Sequence, residues 1–183
     1  QDDQAETVLY RLLRGSGAMG LSGMELLNPP WCRPLLFHSR DIIKAWAIEN
    51  DIEWVEDPTN SFSLRGSIRE LMPMLDGIHG KAAKTLSRSA RLLATDDNYM
   101  QTVCDHHWEL LFINGGLFYS GLKSLHHAIQ FRLLRRLLHH NHCPIRSEHL
   151  EYFICTPTNH KKRVQLSNGY YLFVDKDYVF CKL

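Results

Sequence analysis

The sequence predicts an α+β, mainly helical protein that ends in a small β-meander. Three observations carry that prediction. Apolar residues recur at helical spacing through most of the chain beyond residue 63. Between residues 39 and 55 a helical pattern gives way to a short alternating one. Near the end, apolar and polar residues alternate on either side of Asn168-Gly169.

The chain has 183 residues and 44% hydrophobic content, enough for one globular domain or two small ones. No apolar run approaches the roughly 20 residues that cross a bilayer, and the start lacks the pattern of a secretory signal, so a soluble, cytoplasmic protein without a membrane partner is expected. The 21 Lys and Arg against 20 Asp and Glu leave a net charge of +1, which neither favours nor excludes nucleic acid. Distribution has to decide. Cys32, Cys104, Cys143, Cys155 and Cys181 are odd in number and contain no C-x-x-C pair, so reduced thiols are expected, with neither a disulfide framework nor a four-thiolate zinc site.

The first element is a helix of about three turns, with Ala5, Val8, Leu9, Leu12 and Leu13 on one face and Gly15 as its stop. GSGAMGLSG reads as a glycine-rich loop, and NPPWCRPLL is too rich in proline for regular structure. Ser39 can cap a helix that buries Ile42, Ile43, Trp46 and Ala47 and ends at Asn50. Ile52 and Trp54 alternate as a short strand up to Asp57-Pro58.

From Ser63 the pattern is helical. Pro73 and the glycines of DGIHG break SLRGSIRELMPMLDG from a longer helix in which Ala83, Leu86, Ala90, Leu93, Tyr99 and Val103 share a face. Gly115-Gly116 lies between two apolar runs as a hairpin. HAIQFRLLRRLLHH buries Ile129, Leu133, Leu134, Leu137 and Leu138, and Ser147 caps a short helix after it. The meander follows, with Val164, Leu166, Leu172, Val174 and Val179 alternating about the Asn168-Gly169 turn.

Asp2, Asp3 and Glu6 converge on one helical face, a spacing that can hold Mg²⁺ or clasp an ammonium group. The same spacing makes Asp3-x-x-Glu6 a capping box, and acids at a helix N-terminus are favoured by the dipole alone. RGSGAMGLSG can present backbone amides to phosphate, or it is a helix cap and loop; it lacks the Lys-Ser/Thr ending of a P-loop. Arg65 and Arg69, one turn apart beyond the turn-forming Asp57-Pro58-Thr59-Asn60, can neutralise phosphates or lie solvated. His139-His140-x-His142-Cys143 has zinc-ligating residue types but no second ligand pair at a zinc-finger spacing. Lys81, Lys84, Arg88 and Arg91, then Arg132, Arg135 and Arg136, then Lys161-Lys162-Arg163, form basic stretches that suit RNA phosphate or an ordinary solvated face.

Taken in order, DDQAET, RLLRGSG, GLSGM, RPLL, W-V-E-DPTN and R-x-x-x-I-R with a following Pro-x-Leu resemble the bacterial tRNA(Ile)-lysidine synthetases of the PP-loop ATP pyrophosphatase superfamily. The resemblance is strong over about residues 1 to 75. It implies that residues 1–62 are the tail end of a Rossmann-like α/β PP-loop catalytic domain and residues 63–183 a helical tRNA-binding domain. The implied activity is that of an ATP-dependent ligase, which adenylates the wobble cytidine of a tRNA(Ile) with a CAU anticodon and attaches lysine to form lysidine.

On the same resemblance, Arg65 and Arg69 act in catalysis, and Asp2, Asp3, Glu6, Asp57 and Asn60 bind ATP or lysine. Arg14, Arg33, Lys81, Lys84, Arg88, Arg91, Arg132, Arg135 and Arg136 bind tRNA. The implied cofactors are ATP and Mg²⁺, with no residues assigned to the metal, and the implied partners are the tRNA, free L-lysine and a second copy in a homodimer. The family's pyrophosphate-binding Ser-Gly-Gly-x-Asp-Ser loop and a histidine before the acids are absent, so the chain alone is expected to be inactive. Gly66 stands where the family more often has Asn. Two other readings are a PP-loop tRNA thiolase, whose paired cysteines the sequence lacks, and a non-catalytic helical RNA-binding module.

Overall fold

The computed structural model describes residues 1–55, 64–156 and 162–183. Asp57 and Asn60, and with them Lys161, lie outside the described residues. The chain divides into two compact units, residues 1–98 and 99–183. Among the described residues, no helix is long and apolar enough to cross a membrane.

The first unit contains α1 (Asp2–Leu13), α2 (Ala18–Leu21), the hairpin of β1 (Leu27–Asn28) and β2 (Trp31–Cys32), α3 (Arg40–Glu49), α4 (Leu64–His79) and the start of α5 (Ala82–Leu111). α1 ends as its glycine predicts. Gly15 adopts φ +73°, its N–H donates to the Leu12 carbonyl, and the Ser16 N–H donates to that of Arg11, the paired bonds of a Schellman motif. Gly15→Ala is expected to cost about 1 kcal/mol, because a Cβ resists the left-handed region; a denaturation midpoint measures it.

Several expectations fail in this unit. α1 buries Gln4, Ala5, Glu6, Thr7 and Val8, whereas Leu12 and Leu13 are exposed. The polar residues can be buried because each has a partner: Gln4 exchanges hydrogen bonds with both backbone groups of Met24, and the Thr7 hydroxyl donates to the Asp3 carbonyl. α3 is capped by Ser39, whose hydroxyl accepts from the Ile42 N–H, but only Ala47 of its expected apolar face is buried; Ile42 and Trp46 are exposed. Residues 52–55 form no strand among the described residues, and Val55 is 96% exposed. A strand requires a neighbouring strand to take up its backbone groups.

Pro73 does not break the helix. It lies inside α4 on an exposed position, where the Arg69 carbonyl that loses its donor can turn to water. The break comes at Gly80, with φ +67°, and the Asp76 carboxylate then accepts from the Ala82 N–H at the start of α5. The proline-rich segment expected to be irregular holds the β1–β2 hairpin, and the glycine-rich loop contains α2.

The second unit contains the end of α5, β3 (Phe112–Ile113), β4 (Gly116–Phe118), α6 (Tyr119–Lys123), α7 (His127–His140), α8 (Ser147–Cys155), β5 (Arg163–Gln165), a 3-10 turn (Ser167–Gly169), β6 (Tyr171–Asp175) and β7 (Tyr178–Lys182). The expected hairpin and meander both form, but as one antiparallel sheet of order β3-β4-β7-β6-β5. Ile129, Leu133, Leu134, Leu137 and Leu138 of α7 are buried as the spacing predicts, against Leu150 and Phe153 of α8 and Leu117, Leu172 and Val179 of the sheet. Tyr99, expected on the buried face of α5, is exposed. Arg146, not Ser147, holds the cap position of α8, with no side-chain cap bond.

Cys143 and Cys181, expected as free thiols, are joined as a disulfide within this core. At the end of α8 the buried Lys162 amine donates to the carbonyls of Phe153 and Thr156. Its pKa falls below the ordinary lysine value, first through burial and then through the charge of Lys123.

Candidate functional site

The acids at the start of α1 are not a capping box. Gln1 holds the cap position without a side-chain bond, so Asp2, Asp3 and Glu6 are inside the helix, where Glu6 is too far along to reach back to the cap. All three turn toward α3 and α4 instead. The Asp2 carboxylate accepts from the Arg40 N–H at 2.8 Å, adding a negative charge to the N-terminus of α3. The Arg40 guanidinium donates through Nη2 to Asp3 at 2.6 Å and to Glu6 at 3.0 Å. Arg69, on α4, grips Glu6 with two prongs, Nε to Oε1 at 2.9 Å and Nη2 to Oε2 at 3.2 Å.

Glu6 is therefore the centre of the arrangement. It is 4% exposed, and both oxygens are committed to guanidinium groups that are each 39% exposed. One buried carboxylate thus orients two arginines whose other N–H groups face outward. Burial works against the charge on Arg40, but the hydrogen bond and attraction of Glu6, followed by those of Asp3, outweigh it and hold its pKa above the ordinary arginine value.

These groups line a cleft of about 990 Å³ in the first unit. Asp2, Asp3 and Glu6 face five cations there, Arg33, Arg40, Lys44, Arg65 and Arg69, while Leu35, Ile43 and Trp54 supply apolar wall. An excess of cations, two of them held rigidly, suits a polyanion such as a phosphate chain. Apolar wall beside it suits a flat ring. The acids do not suit a metal ion as they stand, because both oxygens of Glu6 and one each of Asp2 and Asp3 are directed at Arg40 or Arg69. Among the described residues no group of three or more His, Cys, Asp or Glu could hold one. In the second unit, His140 packs on the rings of Trp108 and Phe112, and Cys143 is bonded to Cys181.

Of the residues singled out by sequence, Asp2, Asp3, Glu6, Arg33, Arg65 and Arg69 meet in this cleft. Arg14 does not line it: its guanidinium donates to the Tyr10 hydroxyl and lies over that ring. Lys81, Lys84, Arg88 and Arg91 are exposed together at the start of α5, a continuous basic surface. On α7 the basic residues differ in character. Arg135 is exposed, Arg132 is half-buried, and Arg136 pairs with Asp105 at 2.5 Å while lying over Trp108. Arg136 thus serves packing within the second unit.

Sequence reasoning missed Arg40, and a signal for it was present. A basic residue in the first turn of a helix opposes the dipole, so an arginine directly after the cap Ser39 calls for acids nearby. It also missed Gln4 and Arg11, which shape the segment after α1. Arg11 donates to the carbonyls of Gly20 and Gly23, and a Cβ on Gly23 would come within 2.6 Å of the Gln4 amide. The glycine-rich stretch is thus held by side chains of α1.

Residues 1–75 match the family model of the PP-loop domain. Over 73% of its length the chain is 36% identical to a tRNA(Ile)-lysidine synthase of Mycobacterium leprae, covering 43% of that protein. It is 34% identical over 76% of its length to one of Francisella philomiragia, covering 36% of it. A tRNA(Ile)-lysidine synthase of Pseudomonas aeruginosa is 44% identical over 49% of the chain. The chain spans less than half the length of these curated relatives.

Proposed function

From the premise that the chain is a relative of the tRNA(Ile)-lysidine synthases and carries PP-loop domain sequence in residues 1–75, we propose that it is part of an ATP-dependent ligase that modifies tRNA. The reaction is adenylation of the wobble cytidine of a tRNA(Ile) with a CAU anticodon, followed by displacement of AMP by the side-chain amine of free lysine. The observation that carries this reading is the cationic cleft in which Glu6 holds Arg40 and Arg69.

In this proposal residues 1–62 close the catalytic domain and residues 63–183 grip the tRNA. Arg65 and Arg69 face the phosphates of ATP and of the adenylated base, where a guanidinium stabilises charge on the departing pyrophosphate and then on AMP. Arg40 joins them, fixed by the same carboxylate. Asp3 is 66% exposed in its side chain and pairs at only one oxygen, which leaves it able to take the lysine ammonium. Mg²⁺ would supply further charge neutralisation on the phosphates, but the acids described here do not fit it and no step depends on it.

Lys81, Lys84, Arg88 and Arg91 contact RNA phosphates. Changing Lys84, Arg88 and Arg91 together to Gln is expected to reduce the slope of log affinity against log salt by about three, roughly one per lost phosphate contact. Binding of tRNA measured at several salt concentrations checks this, and an unchanged slope removes the basic surface from the interface. The test of the reaction is incorporation of labelled lysine into CAU-anticodon tRNA by the full-length protein that carries this chain. Transfer of sulfur instead of lysine would sink the proposal.

A further inference from the structure

The sheet of the second unit has two faces of different character. Leu117, Val164, Leu172, Val174, Val179 and Cys181 point into the core. By the two-residue alternation of strands, their neighbours point the other way, and half of those are aromatic. On β6 and β7, Phe173 is opposite Phe180, Tyr171 opposite Lys182, and Asp175 opposite Tyr178. Phe118 of β4 pairs with Tyr178, and Arg163 of β5 pairs with Phe173. The rings form a continuous surface, with centroids 6.1 Å apart for Phe173 and Phe180, 6.3 Å for Tyr178 and Phe180, and 5.8 Å for Phe118 and Tyr178.

Each of these rings is partly buried and keeps only part of its surface open to solvent. Phe180 lies across the backbone of Gly116, where a Cβ would come within 2.6 Å of the ring, so no side chain on β4 stands between it and solvent at that point. Two cations rest on the same surface. The Arg163 guanidinium is 3.7 Å from the Tyr171 centroid, and the Lys182 amine is 5.4 Å from that of Phe180. The Arg163 guanidinium shows that a planar group can stack on Tyr171, and a base on that face takes its place.

We propose that this face is a stacking platform for unpaired bases of RNA, with Phe173, Phe180 and Tyr171 against the bases and Arg163 and Lys182 against the phosphates between them. It rests on the reading of the chain as a tRNA-handling protein and adds a second contact, of different chemistry from the basic surface of α5. Aromatic rings take any base by its π-face, and cations alongside supply the complementary charge, so the platform selects single strands over duplex.

The test uses the full-length protein that carries this chain and a fluorescent, unstructured oligoadenylate of about eight nucleotides, a length within the range that one such surface covers. Wild type is expected to bind it more tightly than a blunt RNA duplex of equal length. Phe173→Leu with Phe180→Leu should weaken that binding by roughly tenfold or more. Because the Phe variants can lose fold, a thermal melt accompanies them, and photo-crosslinking of a thiouridine oligonucleotide to wild type gives an independent measurement. Crosslinks at residues 171–182 support the platform.

Crosslinks confined elsewhere, equal affinity for duplex, or undiminished affinity in a folded double variant overturn it. If tRNA is bound normally by that double variant, the platform falls and the tRNA reading stands. If wild type binds no RNA, both fall. Self-association of wild type that the double variant abolishes, without oligonucleotide binding, makes the face a dimer interface and also overturns the proposal.

Discussion

Glu6→Ala is expected to destabilise the first unit by about 3 kcal/mol, since it leaves the Arg40 and Arg69 guanidinium groups without their shared anion and opens a gap beside α1. Both arginines are partly exposed, so water can recover some of the loss, which keeps the effect below that of a fully buried network. Glu6→Gln keeps the shape and one acceptor oxygen and should cost about half as much. The measurement is chemical denaturation followed by tryptophan fluorescence. Trp31, Trp46 and Trp54 belong to the first unit and Trp108 to the second, so a Trp108→Phe background makes the signal report the first unit alone. An unchanged midpoint would mean that Glu6 does not anchor the cluster.

The functional consequence separates anchoring from direct contact. If Glu6 acts by holding the arginines, Arg40→Lys in the full-length protein keeps a charge but loses the shared geometry. If the cleft takes ATP as proposed, its ATP affinity should then fall along with that of Glu6→Gln.

Phe153→Ala should have the other large effect, about 4 kcal/mol on the second unit, from the lost transfer energy of a side chain 2% exposed and the cavity it leaves. The same change removes the ring on which the Lys162 ammonium rests, with its nitrogen 4.6 Å from the centroid, so a buried amine loses a compensating contact. Tyr152→Ala is the control. It is the adjacent residue, 62% exposed, and should stay within about 0.5 kcal/mol of wild type. Trp108 fluorescence, with the other three tryptophans replaced, follows the transition. Similar effects of the two substitutions would mean that α8 is not seated in the core as described.

How legible an element was depended on whether its burial came from apolar pattern alone. In α7 the five apolar residues leave no competing face, and all five are buried. The meander was equally readable, because a period of two and an Asn-Gly turn admit few other structures. α1 misled because Leu12 and Leu13 extend an apolar stripe that nothing covers among the described residues, while Gln4 and Glu6 are buried through partners in other segments and Thr7 through the Asp3 carbonyl one turn back in α1. Pro73 misled for a related reason: a proline is tolerated in a helix when the carbonyl it strands is turned to water, and position along the helix alone does not reveal that.

The site divides in the same way. The acids, the two arginines of α4 and their likeness to one enzyme family were readable from residue order and spacing, since those are local properties of the chain. That the acids form no capping box, that Arg40 joins them across more than thirty residues, and that one carboxylate holds two guanidinium groups are decisions of the tertiary structure. The same holds for the hairpin and meander merging into one sheet with an aromatic outer face. The physical reason is range. Helix propensity, turn chemistry and apolar period act over a few residues and are written in sequence order, whereas a charge chooses its partner by distance in space, which exists only once the chain has folded.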